Sequence, residues 1–139
     1  MKDRDKKTKI KYIAIAGNIG SGKTTLTHLL AKHLKAKAYL EDISNNPYIH
    51  DFYMDMNRWA FPLQIYFLQE RFRQNQIIQK EDKLVVQDRT IYEDVYVFSR
   101  VLYEKGCITE KDYKTYTLLY ESIAPFIKPP DLLLSLIHI

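Results

Sequence analysis

The stretch GNIGSGKTT, residues 17–25, lies between the apolar run IAIA and the segment LTHLLAKHL, and it constrains the fold more than any other part of the chain. Gly17, Gly22, Lys23 and Thr24 complete the pattern G-x-x-x-x-G-K-[ST]. Glycines are needed there because the backbone must curl until successive N–H groups point at phosphate oxygens. Lys23 then reaches the β- and γ-phosphates, and the Thr24 hydroxyl is a ligand for Mg²⁺. The helix that starts at the loop aims its positive end at the same anion. A strand before the loop and an amphipathic helix after it separate this pattern from a chance glycine-rich turn. The residues expected to hold a nucleoside triphosphate are therefore Gly17, Asn18, Ile19, Gly20, Ser21, Gly22, Lys23, Thr24 and Thr25.

The rest of the chain alternates short β-rich runs with helical stripes. Strands are expected at 10–16, 38–42, 84–88 and 130–136. Helices are expected at 24–34, around 49–56 behind Pro47, at 59–80, at 91–104 and at 110–124, each with apolar residues three and four apart. Strands alternating with helices imply a parallel sheet covered on both faces. The fold class is thus α/β, a P-loop NTPase-type three-layer αβα arrangement with a parallel sheet.

At 139 residues, 46% hydrophobic and 27% charged, the composition is that of one ordinary globular domain. The net charge of +4 owes much to the head MKDRDKKTKIK, and residues 1–9 read as a basic, solvated tail. No nucleic-acid polymer is expected as a partner. Cys107 is the sole cysteine, which excludes an intrachain disulfide and a cysteine-built zinc site and fits a reducing cytosol. The apolar run after the basic head is too short for a signal-peptide core, and no stretch could span a bilayer. A cytoplasmic enzyme without membrane contact is the expectation.

The loop alone does not choose the reaction, since GTPases, motors and small-molecule kinases share it. Glu41 and Asp42 end the second expected strand, and ligands of an open parallel sheet bind beyond the carboxyl ends of its strands. A carboxylate there can take a proton from an attacking hydroxyl; a solvated loop acid is the alternative. QDRT, residues 87–90, ends the third strand. Asp88 could hold Mg²⁺ or its waters and Arg89 could neutralise a transferring phosphoryl group; the alternative is a helix cap at Asp88 or Thr90 with Arg89 in a surface salt bridge. Gln64 and Arg71 lie two turns apart on nearly one helix face, and with Asp94 they offer donors and acceptors for a base edge, although spacing alone leaves them equally readable as surface groups.

GNIGSGKTT, LEDISNNPYIHDFYMDMNRWAFPLQIYFLQERF, VVQDRTIYEDVYVFS and PPDLLLSL, taken in order and spacing, resemble the deoxynucleoside kinase family, bacterial deoxyadenosine/deoxyguanosine kinases above all. The resemblance covers Ile10 to Leu134. It implies transfer of the ATP γ-phosphate to the 5′-hydroxyl of a deoxyribonucleoside in nucleotide salvage, with Mg²⁺ as cofactor. On this resemblance Glu41 is the general base, while Arg89 holds the reacting hydroxyl and phosphate beside Lys23. Tyr53 contacts the sugar 3′-hydroxyl, Gln64 pairs with the base, Arg71 and Asp94 read its edge, and Phe98 and Trp59 line the pocket. Trp59 is equally readable as core packing. Asp42 matches no catalytic role. The Arg/Asp pair points to deoxyadenosine or deoxyguanosine, with deoxycytidine also possible, rather than thymidine. A homodimer is implied by the family only.

The family continues beyond the PDLL strand into an arginine-rich lid, a further strand and a helix, whereas this sequence stops at Ile139. The tail LSLIHI is what a common transposon-adapter sequence would encode if read in frame. The expectation is a kinase domain over 10–134 without lid and C-terminal elements, a non-native tail over 135–139, and a polypeptide weakly active or inactive as it stands. Two rival readings are a nucleoside monophosphate kinase of the thymidylate type and a nucleotide-binding fragment without catalysis. A GTPase is disfavoured, because no N-K-x-D guanine signature is present.

Overall fold

The structure, a computed structural model, describes residues 10–17, 22–41 and 44–136. Its elements in chain order are β1 (Tyr12–Gly17), α1 (Lys23–Leu34), β2 (Lys37–Tyr39), α2 (Ile49–Met54), α3 (Met56–Gln79) and β3 (Val85–Asp88). There follow α4 (Ile91–Glu93), a π-helical turn (Asp94–Phe98), α5 (Ser99–Glu104), α6 (Glu110–Ile123), a 3-10 turn (Ala124–Phe126) and β4 (Leu132–Leu136). The described residues fall into two compact units: one from segments up to 40, 81–88 and 129 onward, the other from 41–80 and 89–128.

The first unit is a parallel sheet of order β2-β3-β1-β4. Ile13 and Ile15 of β1 and Val86 of β3 are buried, and Leu26 and Leu30 of α1 pack against them. This is the use to which the short β-branched runs and the helical leucine stripe are put. The Asp131 carboxylate accepts the backbone N–H groups of Lys11 (2.8 Å) and Tyr12 (3.0 Å), which ties the entry of β4 to the start of β1. Between β1 and β3, the buried Tyr12 hydroxyl donates to the Gln87 side-chain oxygen. α1 ends at Lys35, whose left-handed backbone (φ 54°) returns its N–H to the Ala31 carbonyl. The second strand is shorter than the run 38–42 suggests: it stops at Tyr39, so Glu41 lies in coil two residues beyond it.

The second unit is helical. α3 starts at Met56, three residues earlier than expected, because the Asp55 carboxylate caps it by accepting the Arg58 N–H at 3.3 Å. Leu68, Ile91, Val95, Tyr116, Tyr120 and Ile127 form its core. Asn75, itself buried, donates to the Lys128 carbonyl and accepts the Lys128 N–H, both at 2.9 Å, satisfying a connector that has no ladder of its own. The expected single helix at 91–104 is interrupted by the π turn, inside which the Ser99 hydroxyl bonds back to the Val95 carbonyl at 2.6 Å. Apolar spacing cannot register one extra residue in a turn. π turns are rare and frequent at functional sites.

Candidate active site

In the first unit the phosphate loop joins β1 to α1. Gly17 closes β1, and Gly22 takes φ 91° immediately before Lys23 opens the helix. A Cβ on Gly22 would meet no atom within 4 Å, so backbone conformation rather than space demands glycine there. Asn18, Ile19, Gly20 and Ser21, like Asp42, lie outside the described residues. Thr24 stands exposed in the first turn of α1, followed by Thr25, and its hydroxyl donates to the buried Asp88 carboxylate at 3.4 Å. Thr24 and Asp88, the two residues expected at Mg²⁺, are thus in contact. A hydroxyl beside one carboxylate suits Mg²⁺, which takes few protein ligands and fills its octahedron with water and phosphate oxygens. Among the described residues no group of three or more His, Cys, Asp or Glu could hold another metal.

The second unit holds four charged side chains in a closed ring. Arg89 donates from Nη1 to both oxygens of Glu41, at 2.8 and 3.0 Å. From Nε (3.1 Å) and Nη2 (2.9 Å) it donates to Asp94 Oδ1. Arg71 Nε donates to Asp94 Oδ2 at 3.2 Å. The circuit closes where Arg71 Nη2 stands 3.2 Å from Glu41 Oε1. Two guanidinium groups and two carboxylates sum to zero, as burial demands. Asp94 is fully buried (0% exposed) and Arg71 nearly so (5%). Burial pushes the Asp94 carboxyl above its ordinary value, against the pull of Arg89 and Arg71. Burial would lower the Arg89 guanidinium, but the Asp94 and Glu41 charges outweigh it and raise it further.

Arg89 is also held sterically. Its guanidinium lies 4.1 Å from the Phe98 ring centroid and 5.0 Å from that of Phe67. Its backbone is left-handed (φ 60°), a conformation that costs a non-glycine residue about 1–3 kcal/mol and persists where the surroundings fix it. Thr90, after it, donates its N–H to the Glu93 carboxylate at 3.1 Å and starts α4, so the cap belongs to Thr90 and not to Arg89. The Thr90 cap is thus the one expected from the sequence, while the Arg89 ion pairs lie largely buried rather than at the surface.

The other expected site residues fall as follows. Gln64 is buried on α3, and neither its Oε1 nor Arg71 Nη2 makes a hydrogen bond within the protein. The Gln64 acceptor is thus left without a partner, two turns along the helix from Arg71, whose Nη2 contact is the ion pair to Glu41. Phe98 touches Arg89 rather than simply lining a pocket. Trp59 packs against Tyr48, with the Arg58 guanidinium over its ring at 4.0 Å. Tyr53 is 67% exposed, its ring against Phe52, and is not part of the ring of charges. Phe67 was not foreseen. Its sequence signal, an aromatic one turn before Arg71 in an apolar stripe, is that of any core position.

Known proteins resemble the chain over most of its length. The family profile for deoxynucleoside kinase matches residues 13–137. The deoxyadenosine/deoxycytidine kinase of Bacillus subtilis is 46% identical over 130 residues, covering 92% of this chain and 60% of that protein. The deoxyadenosine kinase of Dictyostelium discoideum is 46% identical over 125 residues, covering 90% of this chain and 51% of its own length. The structure of deoxyadenosine kinase from M. mycoides with products dCMP and a flexible dCDP bound superposes with TM-score 0.81 at 31% identity, over 89% of this chain and 62% of that one. The same enzyme with bound dATP gives 0.79 at 31% identity, over 89% of this chain and 63% of that one. The sequence therefore spans between half and two thirds of the length of these relatives, and no described helix is long and apolar enough to cross a membrane. A matching family profile, relatives nearly half identical and a shared P-loop α/β fold lead to one conclusion: the chain belongs to the deoxynucleoside kinase family.

Proposed function

We propose that the protein is an ATP-dependent deoxynucleoside kinase, with deoxyadenosine as its first substrate and deoxyguanosine or deoxycytidine behind it. The observation that carries this reading is the neutral ring of Glu41, Arg71, Arg89 and Asp94 in the unit that also buries a Gln64 Oε1 without a hydrogen-bond partner. An amide acceptor and a guanidinium donor on one helix match in kind the amino donor and ring-nitrogen acceptor of adenine or cytosine. A neutral nucleoside suits a ring without surplus charge. A nucleoside monophosphate would bring a dianion to two arginines already paired with carboxylates, which disfavours the thymidylate-type alternative.

In the proposed reaction Glu41 accepts the 5′-hydroxyl proton as the oxygen bonds to the γ-phosphorus and the bond to the β-phosphate oxygen breaks, releasing ADP. Arg89 stabilises charge on the phosphoryl group, and Lys23 that on the β/γ-phosphates. Mg²⁺, when bound at Thr24 and Asp88, neutralises phosphate oxygens. Gly17, Gly22 and Thr25 contribute to the ATP loop, Tyr53 to the sugar 3′-hydroxyl, and Phe98 to the nucleoside pocket by fixing Arg89. A cytoplasmic location is proposed from the single cysteine and the absence of a membrane-spanning helix among the described residues. A homodimer is proposed from the family resemblance alone; sedimentation at micromolar concentration tests it.

The deciding experiment is ³¹P NMR of ATP with each deoxynucleoside, using the chain alone and the chain extended with the C-terminal remainder of the B. subtilis relative. Formation of a deoxynucleoside 5′-monophosphate, lost in Glu41→Gln, supports the reading. ATP binding without transfer by either version favours a non-catalytic module instead.

A further inference from the structure

The base-reading pair and the reacting pair share one carboxylate. Asp94 gives Oδ1 to Arg89, twice, and Oδ2 to Arg71. A carboxylate is planar and rigid, so a displacement that suits one of its oxygens moves the other. Asp94 has no exposure, and it starts the π turn that also carries Phe98 against Arg89. The polar tethers of Arg89 are Glu41 at Nη1 and Asp94 at Nε and Nη2. The two do not persist equally through the reaction. When Glu41 takes a proton it loses its charge, and with it most of its hold on Nη1. Asp94 is then the charged partner that keeps the guanidinium aimed.

We propose that Asp94 is a positioning residue for Arg89, so that engagement of a base at Arg71 and Asp94 sets the geometry of Arg89 and selects the base through the rate of transfer as well as through binding. This rests on the reading of the ring as a nucleoside kinase site. A correct base holds Asp94 where Arg89 can meet the phosphoryl group; a wrong one displaces both.

The test is ¹H–¹⁵N NMR of arginine Nε–H groups in the complete chain, titrated with free adenine, which has neither sugar nor 5′-hydroxyl to touch Arg89. Signals are assigned with Arg71→Lys and Arg89→Lys. The expected result is that the Arg71 and Arg89 resonances shift together with one midpoint. A shift of Arg71 while Arg89 stays fixed overturns the proposal and leaves the functional reading intact. If neither moves, adenine does not engage the pair, and both the functional reading and the coupling built on it fall. In Asp94→Asn the Arg89 response should vanish, and in Asp94→Glu it should return at least in part; an undiminished response in Asp94→Asn also overturns the coupling. The wild-type titration decides the matter even if these variants fold poorly.

Discussion

The two units hold their polar site residues in opposite ways. In the sheet unit, Thr24 is exposed and its recorded contact with Asp88 is a single long bond of 3.4 Å, while the core beneath is apolar leucine, isoleucine and valine. In the helical unit the site residues are the interior: Asp94, Arg71 and Gln64 are buried on elements that also carry the apolar core. The difference teaches that a substitution in the loop reports on ligand binding alone, whereas one in the ring reports on binding and folding together. Breaking a buried ion network by removing one member costs far more than losing a solvated contact, because it strands the partner charges.

The largest effect is expected for Asp94→Ala, which leaves two buried guanidinium groups with Glu41 alone. Urea unfolding should show a loss of about 3–5 kcal/mol, and a loss below about 1 kcal/mol would break the contrast between the units. Glu41→Gln preserves shape but removes the proposed base, and transfer should fall about 10²–10⁴-fold in a ³¹P assay. Lys23→Met should weaken MgATP binding by about 1.5–3 kcal/mol, the worth of a hydrogen bond to a charged group, with an unfolding midpoint close to that of the parent. Calorimetry beside thermal denaturation checks both halves of that statement.

A smaller effect comes with pH. Burial raises the hydroxyls of Tyr116 and Tyr120, with Asp94 adding to the first and Tyr96 to the second, and burial also raises Tyr92. All three belong to the helical unit. Their protonated forms favour the fold below the ordinary tyrosine pKa of about 10, and that stability is lost as pH rises beyond it. Unfolding free energy should therefore decline above about pH 10, less steeply in Tyr116→Phe. The smallest effect belongs to the sheet unit: Lys35→Gly relieves the left-handed residue at the end of α1 and should stabilise by about 1 kcal/mol in the same unfolding assay.

The sheet unit was the more legible in sequence. Its loop is fixed by local spacing and its strands are short apolar runs, although their order, β2-β3-β1-β4, is not written in them. Strand ends were less so, because Tyr39 pairs with Gln87 whereas Glu41 turns away into coil. In the ring, Glu41, Arg71, Arg89 and Asp94 were each named, yet nothing in the spacing shows that they close on one another. Apart from Arg89 and Asp94, five residues apart, their contacts span 23 to 48 residues of sequence, and a circuit over such separations is settled by packing. The π turn and the role of Phe67 were illegible for the same reason: both are answers to the space around Arg89.

If the helical unit supplies the nucleoside site through its ring, independently of the phosphate loop, calorimetric titration of the chain with deoxyadenosine should show it. Saturable binding that Arg71→Met abolishes and Lys23→Met leaves unchanged is predicted. Absence of binding to the intact chain, or binding indifferent to Arg71, would contradict it.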